Sequence, residues 1–267
     1  MLTSMREPKA LTDSNRFQVR RVTFSQPFEW LGAGWRDFMA CPFPGLLHGA
    51  AVAVFGSLMF WTARHYFWLL AGAFSGFLLV APVLATGLYA ISRALEAGPG
   101  ASLGVVARAW RSGDRRMVRF GLLLALAGTG WVGTSAAFIT AMVPSAVRDP
   151  QDFLQLVVLA NRGLVFELWL ALGGVLAAPV FASSVVALPL PMDRDTSVLG
   201  AVLTSWRCVL VNPGPVALWA AVLMALSLLG MATAMLGLLV IVPWLGHASW
   251  HAYRGLVGVD DPGKQAS

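Results

Sequence analysis

Long uncharged runs dominate the chain, and charged residues are confined to the segments between them. Four runs lack any Asp, Glu, Lys or Arg, namely residues 44–63, 66–92, 120–147 and 168–192. Each is long enough for the roughly 20 residues with which a helix crosses the core of a bilayer. The pattern therefore predicts four membrane-spanning helices, because the helices of a soluble core would be shorter and more regularly flanked by charge.

The last uncharged run, residues 208–253, is 46 residues long. A single helix of that length would measure about 70 Å, more than twice the hydrocarbon core of about 30 Å. We therefore predict that the run folds back at Ser227–Gly230, which brings the total to six spans. Two alternatives stay open. The run could form one long final span, or its first part, Pro213 to about Leu229, could re-enter the membrane without crossing it.

Basic residues are distributed unevenly between the two sides of this topology. The N-terminal segment, the 93–119 loop, the 194–207 loop and the C-terminal segment hold 6, 6, 2 and 2 of them, which is 16 of the 19 in the chain. Loops rich in Lys and Arg stay on the cytoplasmic side. We therefore expect a bacterial inner-membrane protein with both termini in the cytoplasm. Residues 1–26 contain no hydrophobic segment, so they are not a cleavable signal peptide.

Three Trp-Arg pairs each precede a predicted hairpin of two spans. Prolines follow the first and third tryptophan at the same offsets of seven and nine residues, whereas the middle pair lacks them. Tryptophan favours the membrane interface and arginine the phosphate level, so we expect anchoring at the cytoplasmic face. The predicted anchors are Trp35, Arg36, Trp110, Arg111, Trp206 and Arg207, with Trp250 and Arg254 at the end of the last span.

The repeated pairs predict an all-α, six-span membrane bundle built from three parallel-repeat hairpins. Short interfacial helices would lie at its cytoplasmic face, and one is predicted over Ser102–Trp110. The units cover about 28–96, 97–195 and 196–254, after a cytoplasmic tail over 1–27. Residues 255–267 form a cytoplasmic C-terminal tail that we expect to be disordered.

Composition and charge agree with a surface exposed to lipid. The chain is 57% hydrophobic and 12% charged, whereas soluble domains are roughly 25% charged. The net charge of +6 is explained by basic span ends that meet anionic headgroups. The lipid bilayer is therefore the expected partner, and nucleic acid is not.

Histidines are the main candidates for chemistry, since no Asp or Glu lies deep in a predicted span, as a carboxylate relay would require. His48 lies near the start of the first span, while His247 and His251 lie four apart on one face of the last. That spacing suits a metal or haem. Ala248 replaces the glutamate of the zinc-protease motif, and hydrolase, phosphate-loop and dinucleotide motifs are absent. We favour histidines that make local hydrogen bonds, with no cofactor, no metal and no enzymatic activity.

Three segments resemble the DUF2189 family of predicted bacterial integral membrane proteins. They are Leu31–Phe38, the Pro99–Leu103 entry to Trp110-Arg111, and the closing Pro243–Arg254, which is the most specific. The resemblance covers about residues 28 to 257 and implies the membrane architecture, but no established activity. Some relatives carry labels that suggest a cytochrome c oxidase subunit. With four histidines, this chain is too poor in ligands for a haem–copper catalytic subunit, so the resemblance implies at most an accessory relationship to respiratory complexes.

Two classes of function remain open. The first is a non-enzymatic scaffold or accessory and assembly factor that contacts other membrane-protein subunits. The second is a small-solute transporter or channel. A continuous cavity lined by His48, Thr140, Asn212 or His247 would favour transport, and a solidly packed bundle would favour the scaffold. The pattern leaves the oligomeric state open.

Overall fold

The computed structural model describes residues 9–63, 84–98, 100–111, 115–160 and 164–259. These residues are mostly helical. In chain order the elements are α1 (Lys9–Asn15), β1 (Phe17–Val19), α2 (Gln26–Ala40), α3 (Pro42–Ala63), α4 (described over 84–97), α5 (Leu103–Arg111), α6 (Arg115–Met142), α7 (Pro150–Phe153), a π-helical segment (Leu154–Val158), α8 (Val165–Ser184), α9 (Leu190–Asp193), α10 (Val198–Val211), α11 (Pro213–Ala232), α12 (Leu238–Leu256) and β2 (Val257–Val259).

Four helices in the described part of the chain are long and apolar enough to cross a membrane. They are the Pro42–Met59 part of α3, and α6, α8 and α11. The second predicted span, 66–92, lies mostly outside the described residues, and only its end is seen, in α4. The predicted sixth span corresponds to α12, whose second half is rich in polar side chains. The structure therefore defines a helical membrane protein with four candidate spans, while the count of six stays a prediction.

The last uncharged run folds back, but later than predicted. α11 continues to Ala232 and the turn occupies residues 233–237, where Ala234 and Met235 have φ values of 53° and 68°. The predicted turn residue Gly230 is instead buried in the last turn of α11. A Cβ on Gly230 would lie 2.6 Å from Cδ2 of Leu238, so the glycine is required for the close approach of α11 and α12. With 20 residues, α11 is about 30 Å long, which is enough to cross the hydrocarbon core.

Three amphipathic helices, α2, α5 and α10, immediately precede the long helices α3, α6 and α11. The helix predicted over Ser102–Trp110 is observed as α5, and its Val106 is buried. α10 begins at a conventional cap, because Ser197 Oγ accepts a hydrogen bond from the amide of Gly200 at 3.1 Å. This order of elements is the one that the repeat hypothesis predicts, and equivalence of the three units stays a prediction.

The core is built around α12, which packs against α2 and α3. Its residues Ala248, Trp250 and Leu256 are completely buried. Gly34 on α2 and Gly49 on α3 touch the backbone of α12, and a Cβ at either position would overlap it. Small residues allow such contacts between helix backbones, which stabilise helix pairs where lipid supplies no hydrophobic drive. The second half of α12 is therefore surrounded by protein.

Helices α6 and α8 form a hairpin with little cover from the rest of the described chain. Only 6% of the residues in each candidate span are buried. Their contact is made by Trp169, whose indole donates a hydrogen bond to Ser135 Oγ at 2.7 Å and lies 5.6 Å from the Trp131 ring. The remaining apolar surface of the hairpin faces outward, as expected for a helix pair in lipid.

The two terminal segments meet in a small antiparallel sheet, which the all-α expectation did not include. β1 pairs with β2 in a register that sets Phe17 opposite Val259 and Val19 opposite Val257. The expected disorder of 255–267 is therefore wrong for residues 255–259, which complete α12 and form β2. The reason is that Leu256 is fully buried and its carbonyl accepts from the Arg20 amide at 2.9 Å. Residues 260–267 lie outside the described range.

Candidate functional site: a buried histidine network

The three histidines selected from the sequence lie between α2, α3, α4 and α12. His48 on α3 is 3% exposed and His247 on α12 is fully buried. His251 is one turn further along α12, and its side chain is 20% exposed. His48, His251 and Asp37 all lie within electrostatic range of His247. The sequence places these histidines on two different helices, and the structure shows that the two helices bring them close together.

His48 is held in one tautomer by its own helix. Its Nδ1 lies 2.7 Å from the backbone carbonyl of Pro44, and a carbonyl oxygen can only accept a hydrogen bond. The proton is therefore on Nδ1, and Nε2 carries an unprotonated lone pair. That Nε2 is buried, has no hydrogen-bond partner in the described part of the chain, and lies against Gly87. A side chain at Gly87 would collide with it, so the glycine makes room for the imidazole.

His247 is hydrogen-bonded to the neighbouring helix α4, because its Nδ1 lies 2.8 Å from Oγ of Ser92. Either of these two atoms can be the donor, depending on the tautomer of His247. Nε2 of His247 is buried and has no hydrogen-bond partner in the described residues.

Asp37 is the charged end of this network. It accepts a hydrogen bond from Nε2 of His251 at 2.8 Å. Burial raises the pKa of Asp37, but the hydrogen bonds from His251 and Ser92 outweigh burial and hold its pKa below the ordinary value. Asp37 is therefore ionised at neutral pH, and its bond to His251 fixes α2 to α12.

The network contains two imidazole nitrogens without a partner in the described residues, but the described residues do not form a multidentate metal site. No group of three or more His, Cys, Asp or Glu side chains suitable for a metal occurs within the described ranges. The two free Nε2 atoms are enclosed by packing, as the contact between His48 and Gly87 shows. Metal-bound histidines usually have the same kind of bond on the other nitrogen, so haem or metal binding by His48, His247 and His251 stays an untested alternative to the prediction of no cofactor.

The predicted anchors differ in their surroundings. Trp35, Trp110 and Trp206 are 40%, 42% and 37% exposed, and Arg36 and Arg111 are exposed beside them. Trp250 differs from the predicted interfacial position, because it is fully buried and its indole donates to Glu96 at 3.0 Å. Trp250 is buried because α2 and α3 enclose this part of α12.

Two of the predicted anchoring arginines make specific contacts with distant segments. Arg207 donates to the backbone oxygen of Ser14 at 2.6 Å, and Arg254 is paired with Glu96 and Asp193, each at 3.4 Å. Asp193 also pairs with Arg93 and Arg194 and accepts from the Tyr253 hydroxyl at 2.7 Å. These two arginines therefore hold segments of the protein together as well as carrying charge.

Sequence reasoning missed the partners that make the network. The histidines were expected to form local hydrogen bonds, yet Ser92 is 155 residues from His247 and Asp37 is 214 residues from His251. The only available signal was that Asp37 follows the first Trp-Arg pair and Ser92 ends an uncharged run. Neither feature indicates its partner.

The helical fold and its apolar spans define an integral membrane protein of the α-helical class. Residues 69–193 match the model of the DUF2189 family, described as a predicted integral membrane protein. The resemblance is thereby confirmed over that segment, which contains Pro99–Leu103 and Trp110-Arg111 but not the 31–38 and 243–254 segments. No curated protein and no solved structure matches the chain.

Proposed function

We propose that the protein is a non-enzymatic scaffold or accessory factor that contacts other membrane-protein subunits in a bacterial inner membrane. The observation that carries this proposal is that buried polar side chains join helices to one another and do not line a path. Asn212 illustrates it: its side chain accepts from the Val22 amide and donates to the Arg20 carbonyl, both at 2.9 Å. It therefore attaches the segment after β1 to the end of α10.

In the part of the chain that the structure describes, the cavity against His48 includes none of the other three residues that would favour transport. The cavity against His48 has a volume of about 360 Å³, is otherwise lined by apolar residues and Trp110, and does not reach His247. Thr140 is exposed on α6 and bonds to the carbonyl of Ala136 in its own helix. Within the described residues this arrangement gives a solute no polar route, which supports the scaffold over the transporter or channel.

The proposed orientation has independent support from the terminal sheet. Because β1 and β2 pair directly, the chain segments before α2 and after α12 lie on the same side. The basic segments of the sequence are those expected in the cytoplasm. We therefore propose that both termini are cytoplasmic.

The α6–α8 hairpin supplies a surface on which another subunit could pack. Leu126 on α6 and Val175 on α8 are 71% and 69% exposed. Photo-crosslinking residues placed at these two positions should give a defined protein adduct in native membranes, and that protein should co-purify in a fixed ratio. Val54 on α3, which is 68% exposed, is the matched control for an apolar surface outside the hairpin.

A different set of results would contradict the scaffold proposal. If only lipid adducts appear at all three positions, and liposomes containing the purified protein release a small solute, the transporter is favoured. A visible spectrum of the purified protein tests the cofactor separately, because a Soret band would contradict the absence of haem.

A further inference from the structure

A cleft of about 880 Å³ lies between α4, α5, the start of α6 and the segment around Pro191 and Met192. We call it the arginine cleft, because three arginines line it: Arg93, Arg108 and Arg116. They come from three separate segments of the chain. Only the tertiary structure brings them to one opening.

The charge of the arginine cleft is one-sided. None of its described lining residues is acidic. Asp193 lies 3.6 Å from Arg93 but is shared with two other arginines, and Asp195 lies 3.7 Å from Arg116 while being fully exposed. These acids orient the guanidinium groups, and the described residues of the cleft keep an excess of positive charge. Guanidinium groups recognise phosphate through paired hydrogen bonds.

Apart from Thr86, the remaining described wall of the cleft is apolar. It is formed by small and large hydrophobic side chains, including Ala94, Val105, Trp110, Met117 and Val118. A soluble phosphate would neutralise the arginines but leave this wall exposed to water. A ligand with a phosphate at one end and hydrocarbon at the other would cover both.

The position of the cleft fits such an amphiphile. α6 is a candidate membrane span that begins at Arg115, so Arg116 lies where the span enters the headgroup layer, while Met117 and Val118 lie next to the hydrocarbon. Basic pockets between membrane helices on the cytoplasmic side bind anionic lipid headgroups. We propose that the arginine cleft binds an anionic phospholipid, with its phosphate at the three arginines and its first methylenes on the apolar wall.

The test measures lipid binding to the full-length protein in nanodiscs or by native mass spectrometry. Phosphatidylglycerol should bind more tightly than phosphatidylcholine, and Arg108→Gln should weaken phosphatidylglycerol binding about five- to tenfold. Arg148→Gln removes the same charge from an exposed loop outside the cleft, so it should change binding little. Both arginines are exposed, and the thermal midpoint of each variant checks that it is folded.

A second variant separates lipid from soluble phosphate. Ala94→Phe fills the apolar wall without changing charge, so it should weaken phosphatidylglycerol binding and leave any binding of inorganic phosphate unaltered. Equal binding of the two lipids, or equal effects of the two arginine variants, would overturn the proposal. Inorganic phosphate that binds as tightly as the lipid would also overturn it, because the site would then be one for a soluble anion. None of these results bears on the proposed scaffold.

Discussion

Nδ1 of His247 lies 2.8 Å from Oγ of Ser92, and this contact joins α12 to α4 inside the protein. Both residues are completely buried. A buried polar atom is costly unless it is hydrogen-bonded, and this bond satisfies one buried polar atom on each helix. Stability of the helix assembly should therefore depend on the Ser92 hydroxyl group.

Ser92→Ala tests that link. The variant leaves Nδ1 of His247 without its hydrogen-bond partner, so we expect unfolding to be easier by about 1–3 kcal/mol. Thermal unfolding in detergent measures the change. Thr140→Ala is the control, because Thr140 is exposed and bonds only within its own helix. Equal midpoints for the two variants would contradict a structural role of the network.

The ionised state of Asp37 predicts a dependence of stability on pH. Its folded-state pKa lies below the ordinary carboxyl value because of the bonds from His251 and Ser92, which outweigh burial. The carboxylate therefore stabilises the fold above about pH 4, the pKa in the unfolded chain, and that contribution is lost as the pH falls through the folded pKa. Asp37→Asn should be less stable than the wild type at neutral pH.

The measurement for Asp37 is a series of thermal midpoints at decreasing pH. The difference between wild type and Asp37→Asn should shrink below about pH 4, as the wild-type carboxyl becomes neutral. If the difference in thermal midpoint stayed constant over the whole pH range, the lower stability of Asp37→Asn would come from the shape of the side chain and not from its charge.

Two glycines provide a matched test of helix packing. Gly49 touches the backbone of Leu239, whereas Gly130 on α6 has open space around the position of a Cβ. Gly49→Ala should cost about 1–3 kcal/mol by forcing α3 and α12 apart, and Gly130→Ala should change the free energy of unfolding by less than about 0.5 kcal/mol. Chemical denaturation in detergent compares the two. Similar effects would argue against the close crossing of α3 and α12.

The two cysteines should react at very different rates. Burial raises the pKa of Cys208 to about 12, against a smaller opposite effect of Arg207, so little thiolate is present at pH 8. Cys41 is only partly buried. A maleimide should label the native Cys208→Ser variant, which retains only Cys41. The Cys41→Ser variant, which retains only Cys208, should be labelled only after denaturation. Rapid labelling of native Cys41→Ser would show that α10 is not packed as described.

The turn between α11 and α12 shows what the local sequence pattern can predict and what it cannot. The length of the uncharged run required a reversal, and Gly230 looked like the place for it. In the structure Gly230 is helical and lies against Leu238, while Ala234 and Met235 adopt the left-handed backbone. A glycine in a membrane helix serves close packing as readily as a turn, and only the position of the second helix decides between them.

The histidines show where sequence reasoning ends. Their spacing on α12 was visible, but a spacing of four residues does not say what each side chain meets. His247 turns to Ser92 and His251 to Asp37, since α12 is enclosed by α2, α3 and α4. The same enclosure explains why Trp250 is a core residue and why the end of α12 continues into an ordered strand.

Hydropathy and charge alone determined that this is a helical membrane protein, because lipid requires long uncharged runs with backbone groups satisfied inside helices. They also identified the basic segments and the amphipathic helix α5. The tertiary structure decided which polar residues meet, where α11 turns, and how the terminal segments pair. The polar contacts and the terminal sheet join residues more than a hundred positions apart, and the turn depends on how α12 packs against α11. The residues that neighbour each position in the chain therefore do not predict these contacts.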